Sequence, residues 1–274
     1  MAVRKEEVKK LNRKLMDFLD HSVNAFFAVE NMREILLKEG FHPLYEGEDW
    51  KLESGEKYFV TRNDSALIAF VLPKKPIKGF QMMASHSDSP VFKVKTDPEI
   101  EVDKAYIQLN VEKYGGMICS PWLDRPLSVA GRVLLRTAKG VETRLLNIDR
   151  DLLIIPNLAI HMNREVNDGY KFNAQKDMLP LFSTEEGKGS FKKIVAEALS
   201  VKEECILDWD LFLYNRQKAT FLGAEEEFIG SGRLDDLQCA FASLQGILSA
   251  KPKDSVAVHC VYDNEEVGLS LIHI

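Results

Sequence analysis

The sequence predicts an α/β fold interrupted by a β-rich insertion, and three observations carry that reading. Two helical periodicities near the amino terminus lead into continuous apolar runs. The middle of the chain, from about Val91 to Phe221, changes to short alternating runs. A helix and strand of the first type then return. Residues 1–90 and 222–268 are therefore assigned to one discontinuous domain and 91–221 to another.

Apolar residues recur every three or four positions at Val8, Leu11, Leu15, Phe18 and Leu19, and again at Phe26, Val29, Met32 and Leu36. This spacing predicts two helices, the second capped by Ser22 and stopped at Gly40. Tyr58–Thr61, Ala66–Leu72 and Gly79–Ala84 read as strands, at least two of them buried on both faces. Alternation in Val91–Lys95, Ile107–Val111, Arg132–Arg136 and Glu142–Ile148, punctuated by Gly115-Gly116, Gly131 and Gly140, predicts sheets with one wet face. A helix over Phe191–Leu199 and a strand over Asp210–Tyr214 follow. The last elements are a helix carrying Leu237, Ala240, Phe241, Leu244, Ile247 and Leu248, with Asp235 and Gln238 spaced as a capping box, and a strand over Val256–Tyr262.

At 274 residues and 45% hydrophobic content the chain is long enough for two cores. A net charge of −6 without a basic block argues against a nucleic-acid partner. No run approaches the ~18 apolar residues of a membrane span, and the charged start lacks the features of a secretory signal. Cys119, Cys205, Cys239 and Cys260 are widely separated, as suits reduced thiols and a cytoplasmic location.

Chemistry concentrates in three clusters: Ser85-His86-Ser87-Asp88-Ser89-Pro90, Arg233-Leu234-Asp235-Asp236 and Asp263-Asn264-Glu265-Glu266. They read together as half of a dinuclear peptidase site, because imidazole and carboxylates hold zinc-like cations and activate water. His86 can ligate while Asp88, two residues on, orients it, although a loop histidine and a turn-forming aspartate explain the pair equally well. Asp235 can bridge two cations or simply cap a helix, with Arg233 pairing with a nearby surface acid. Of Glu265 and Glu266, one can ligate and the other accept a proton, and a solvated pair is the bland alternative. His259 reads as a satisfied interior histidine, and His21 and His42 as structural. His161 lies in a polar run that should be a binding-competent loop.

At these residues the chain resembles the aspartyl aminopeptidase family of co-catalytic zinc metallopeptidases, its bacterial members in particular. The resemblance runs in order through Ala84–Pro90, Pro121–Arg125, Ile160–Arg164, Gln175–Pro180, Gly232–Asp236 and Asp263–Gly268. It implies a zinc-peptidase-type α/β domain, incomplete here, interrupted by a β-rich oligomerisation domain. It also implies two divalent metal ions, zinc by preference. His86 would bind one, Asp235 would bridge both, Glu266 would bind the second, and Asp88 would support His86. Glu265 would be the general base for attack of a metal-bound water on peptides, releasing amino-terminal residues, with acidic ones favoured. His161 would contact substrate at a neighbouring subunit's site, in dimers built into a dodecamer.

Residues 269–274 depart from the resemblance and read as out-of-frame or adaptor-derived translation. The family's remaining aspartate and histidine ligands would lie beyond residue 268, leaving each metal two protein ligands where catalytic zinc has three plus water. The expectation is weak metal binding, little or no activity and a tendency to aggregate. Two other functions fit parts of the pattern: an inert assembly module, and a related dinuclear zinc carboxypeptidase or deacylase. The Asp-Asn-Glu-Glu and Ile-His-Met-Asn-Arg runs weigh against the last.

Overall fold

A computed structural model describes residues 5–268. In chain order its helices are α1 (Lys5–His21), α2 (Ala25–Lys38), α3 (Ser190–Leu199) and α4 (Leu234–Leu248). Its strands are β1 (His42–Leu44), β2 (Lys57–Arg62), β3 (Ala66–Val71), β4 (Gly79–His86), β5 (Val91–Val102), β6 (Tyr106–Tyr114), β7 (Leu127–Thr137), β8 (Gly140–Asn147), β9 (Leu181–Thr184), β10 (Ile206–Asn215), β11 (Thr220–Leu222), β12 (Phe228–Gly230) and β13 (Ser255–Tyr262). Two compact units result, one from residues 5–89 with 218–268 and the other from 90–217. No helix among the described residues is long and apolar enough to cross a membrane, and the four cysteines are unpaired.

The first unit is built on a mixed sheet in the order β1-β2-β3-β13-β4. The apolar stripes of α1, α2 and α4 cover one face: Leu19, Met32, Leu36, Leu237, Ala240 and Leu244 pack with Leu67, Ala69 and Val261. Asn24, not Ser22, caps α2, its side chain accepting the Phe27 N–H at 3.2 Å. The Ser22 hydroxyl instead accepts from Asn31 Nδ2 at 3.1 Å. The expected stop at Gly40 holds, since α2 ends two residues earlier and Gly40 takes a left-handed φ of 78°.

The expectation that at least two of β2, β3 and β4 are buried on both faces is not met: β2 buries the consecutive Tyr58, Phe59 and Val60, but Ile68 of β3 is 37% exposed, and β4 is open. It is the last strand of its sheet, and Phe80 and Met82 are 66% and 62% exposed. Apolar content reports affinity for burial, not whether described residues supply it. On that same face the buried residues are Val256, Val258 and Cys260 of β13 and Tyr58 and Val60 of β2, away from β4.

The second unit is a six-stranded sheet in the order β8-β7-β10-β5-β6-β9, with α3. Its core draws Phe92, Leu109, Val111, Leu127, Val133, Leu135, Phe191, Leu211 and Leu213 together. Gly131 is not a boundary: it lies within β7, where a Cβ would stand 2.0 Å from the Asp210 carbonyl oxygen of β10. Its missing side chain permits the close approach of the two strands. Half-buried Asp210 receives hydrogen bonds from Lys93 at 2.7 Å and Arg132 at 2.9 Å. Burial opposes its ionisation, and the two cations overcome that and hold its carboxyl below the ordinary aspartate value.

A folded-state value below the unfolded ~3.9 means that Asp210 stabilises above that value and loses the contribution as pH falls through the folded one. Asp210→Asn should therefore cost about 1–3 kcal/mol at neutral pH, between the ranges for exposed and buried pairs. In urea titrations the deficit should shrink toward acid pH, and a deficit independent of pH down to the acid limb would contradict this. Met82→Lys tests the exposed face. It should reduce concentration-dependent self-association in sedimentation velocity while changing stability by no more than about 0.5 kcal/mol.

Candidate metal centre

Parallel pairing of β4 with β13 aligns Ser85 with Val261 and His86 with Tyr262, so the chain leaves both strands at the same end of the sheet. The carboxyl ends of strands in open α/β sheets are where ligands bind, because loops there converge over a rigid base. Serines fix this end. The Ser87 N–H donates to the Tyr262 carbonyl at 2.8 Å, and the buried Ser87 hydroxyl lies 2.6 Å from the Ser65 carbonyl oxygen. The Ser85 hydroxyl donates to the Cys260 carbonyl at 3.3 Å.

His86 is 6% exposed, and its two ring nitrogens have different surroundings. Nδ1 faces Asp88, 3.1 Å from its carbonyl oxygen and 3.3 Å from Oδ1. Nε2 faces a group of acids: Asp235 Oδ1 at 3.4 Å, Asp236 Oδ2 at 3.9 Å and Glu265 Oε2 at 4.0 Å. Ligand-type atoms of His86, Glu265 and Glu266 also lie within 4.8 Å of one another. Asp88, 3% exposed, accepts the main-chain N–H groups of Glu265 at 3.4 Å and Glu266 at 3.2 Å. One carboxylate thus orients the imidazole and holds the short 3-10 turn Glu265–Val267 that presents both glutamates.

The charges on this constellation are unbalanced. Burial disfavours the imidazolium, but the hydrogen bond and charge of Asp88 together with Asp236 outweigh it and push His86 up to about 9. Glu266 is raised, first by burial, against the opposing effect of His86, with Asp88, Glu265 and Asp235 adding like-charge repulsion. So many acids around one imidazole are relieved by a cation. The donor set fits a divalent one of the zinc type: hard carboxylate oxygens around an imidazole whose second N–H is engaged by a carboxylate and a carbonyl.

Five residues singled out from the sequence, His86, Asp88, Asp235, Glu265 and Glu266, come together at this end of the first unit. His161 belongs to the other unit, exposed on a turn. His259 is interior as expected but only half satisfied: Nδ1 lies 2.8 Å from the Ser243 hydroxyl, while Nε2 has no hydrogen-bond partner among the described residues. His273 and the rest of residues 269–274 lie outside the described residues.

Two expectations about the α4 junction are corrected. Asp235 does not spend its side chain as the expected cap: it and Asp236 are non-helical (φ −84°, ψ 114° and φ −116°, ψ 18°), and its Oδ1 lies 3.4 Å from His86 Nε2. Turned out of the helix, its carboxylate reaches His86. Arg233 does not simply pair with a surface acid either, for its guanidinium donates to the Leu19 and Ser22 carbonyls at 3.0 Å each. These lie at the end of α1, where unpaired carbonyls and the helix dipole favour a cation. Asp236 stands in the Arg233–Asp236 cluster read from the sequence, but sequence reasoning gave it no role of its own; the doubled Asp-Asp was the available signal.

Fold and site together define an α/β protein with a candidate divalent-metal centre at the carboxyl end of its sheet. Residues 18–271 match the family model described as aminopeptidase I zinc metalloprotease (M18), and the chain belongs to that family. It is 44% identical over 274 residues to a probable M18 family aminopeptidase 2 of Clostridium novyi and 45% identical over 264 residues to the protein so named in Clostridium acetobutylicum. These alignments cover 97% and 93% of this chain but 63% and 61% of those relatives, so the chain spans less than two thirds of their length. Among solved structures it is similar to a chain of the Ape4 and Nbr1 complex, with TM-score 0.92 at 33% identity, covering 98% of this chain and 58% of that one. Chaetomium thermophilum mApe1 superposes with TM-score 0.86 at 30% identity, covering 93% and 62% of the two chains.

Asp88→Ala removes a buried acceptor shared by two N–H groups and faced by the imidazole. Denaturant unfolding should show a loss of about 2–3 kcal/mol, the range for a buried charged acceptor. A loss below about 0.5 kcal/mol would mean that the carboxylate does not hold this end of the sheet together.

Proposed function

We propose that the first unit carries part of the active centre of a metal-dependent aminopeptidase, and that the second unit serves oligomerisation. The observation that carries the first part is the Nε2 of His86 facing Asp235 at 3.4 Å and Glu265 at 4.0 Å while Nδ1 is held by Asp88. His86, Asp235 and Glu266 would hold the metal, with Asp235 shared between two ions. A divalent zinc-type cation there supplies Lewis acidity, which lowers the pKa of its water toward about 7 and polarises a carbonyl.

The protein's own groups do the rest. Glu265, partly exposed beside Nε2, is placed to take a proton from attacking water and return it to the leaving amine. Asp88 keeps the imidazole in one tautomer and one orientation. Substrates would be peptides with a free amino terminus, acidic first residues being favoured by the family resemblance. His161 is assigned to substrate contact on the same basis, in the cytoplasm and within a homo-oligomer. Its support is a solved relative at 26% identity, S. cerevisiae mApe1, described as a dodecamer.

With two ions held as proposed, the described residues give each only two ligands, His86 with Asp235 and Asp235 with Glu266, where catalytic zinc has three plus water, so metal binding should be weak and turnover low. Calorimetric titration with Zn2+ should detect a site that His86→Ala weakens at least tenfold. Release of p-nitroaniline from aspartyl and leucyl p-nitroanilides should stay at the level of chelator-treated protein. Zinc binding indifferent to His86→Ala would overturn the site, and turnover matching a full-length curated relative assayed alongside would overturn the inactivity.

A further inference from the structure

Asp236 has no assigned role, yet its side chain accepts a hydrogen bond from the main chain of His86. The Ser87 N–H points to the neighbouring strand, donating to the Tyr262 carbonyl at 2.8 Å. Main-chain groups alternate along a strand, so the His86 N–H points the other way, to the open side of β4, the last strand of its sheet. There Asp236 Oδ2 accepts it at 3.1 Å. The same oxygen lies 3.9 Å from Nε2, beyond hydrogen-bond reach. The Asp236 side chain is 17% exposed, against 88% for Asp235, so the adjacent acids divide their surroundings: one faces inward to the strand, the other outward.

We infer that Asp236 is a positioning residue, whose carboxylate fastens the start of α4 to the main chain of His86 and so sets the separation between His86 and Asp235. The effect follows from connectivity. Asp235 is one residue from the bond on α4, and the imidazole hangs from the residue whose N–H is bound, so a single contact constrains both partners. Without an acceptor, the His86 N–H at a strand edge would bond to water, and the two elements would lose this tie.

The inference rests on the metal-site reading above, and two substitutions separate them. Asp236→Asn keeps a side-chain oxygen that can accept the His86 N–H, while Asp236→Ala removes it. In the 274-residue protein, calorimetric titration with Zn2+ should place Asp236→Asn within about fivefold of the parent and Asp236→Ala ten- to a hundredfold weaker, the usual cost of losing a ligand's supporting partner. Amide hydrogen exchange read by NMR should show the His86 N–H protected in the parent and in Asp236→Asn, and at least about tenfold faster in Asp236→Ala. Unchanged affinity and exchange in Asp236→Ala would overturn the inference. Equal loss of affinity in both variants would overturn it differently, showing that charge or direct ligation, not the hydrogen bond, is what Asp236 contributes. If the folded parent binds no zinc while the exchange pattern is as expected, the metal-site reading fails and the inferred positioning for metal falls with it, leaving only the bond.

Discussion

The buried carboxylate of Asp88 is the constraint on which the site depends. It faces Nδ1 of His86 at 3.3 Å and accepts the main-chain N–H groups of Glu265 and Glu266. The ends of β4 and β13 are therefore joined by one side chain as well as by their ladder. A carboxylate so buried is stable only when its oxygens are occupied by donors. Here those donors are the groups that position the acids and the imidazole around one point. Structure and chemistry use the same bonds.

Around that point the protein assembles an excess of negative charge and leaves Nε2 facing it. Asp235, Asp236 and Glu265 stand 3.4–4.0 Å from that nitrogen. These distances exceed those of good hydrogen bonds, and Asp235, nearest at 3.4 Å, suits a group that shares a cation with the imidazole. The raised value of Glu266, driven by burial and by its acidic neighbours, is the electrostatic counterpart of that arrangement. Family membership gives the cluster its context: the matched family is described as a zinc metalloprotease.

Much of the fold was legible because its elements obey strong local rules. The three-to-four spacing of Met32, Leu36, Leu237 and Leu244 marks helices that cover one sheet face. The alternation in residues 107–111 and 132–136 marks strands of the second unit. The individual clusters were visible too, but not their convergence, since no local rule tells that residue 86 pairs beside residue 262. Asp235 and Arg233 show the other limit. An acid at a strand-to-helix junction matches the pattern of a cap, and only the left-handed turn at Arg233, tied to the end of α1, reveals that Asp235 is turned away from that task. Exposure of β4 was likewise invisible, because Phe80 and Met82 carry the same apolar signature whether or not described residues cover them.

The most direct test of the central claim is X-ray absorption at the zinc edge of the metal-loaded protein, compared with its His86→Ala variant. The account predicts a first shell of oxygen and nitrogen at about 2.0–2.2 Å, with imidazole outer-shell scattering that disappears in the variant. A shell containing sulfur at about 2.3 Å, or imidazole scattering that survives loss of His86, would contradict it.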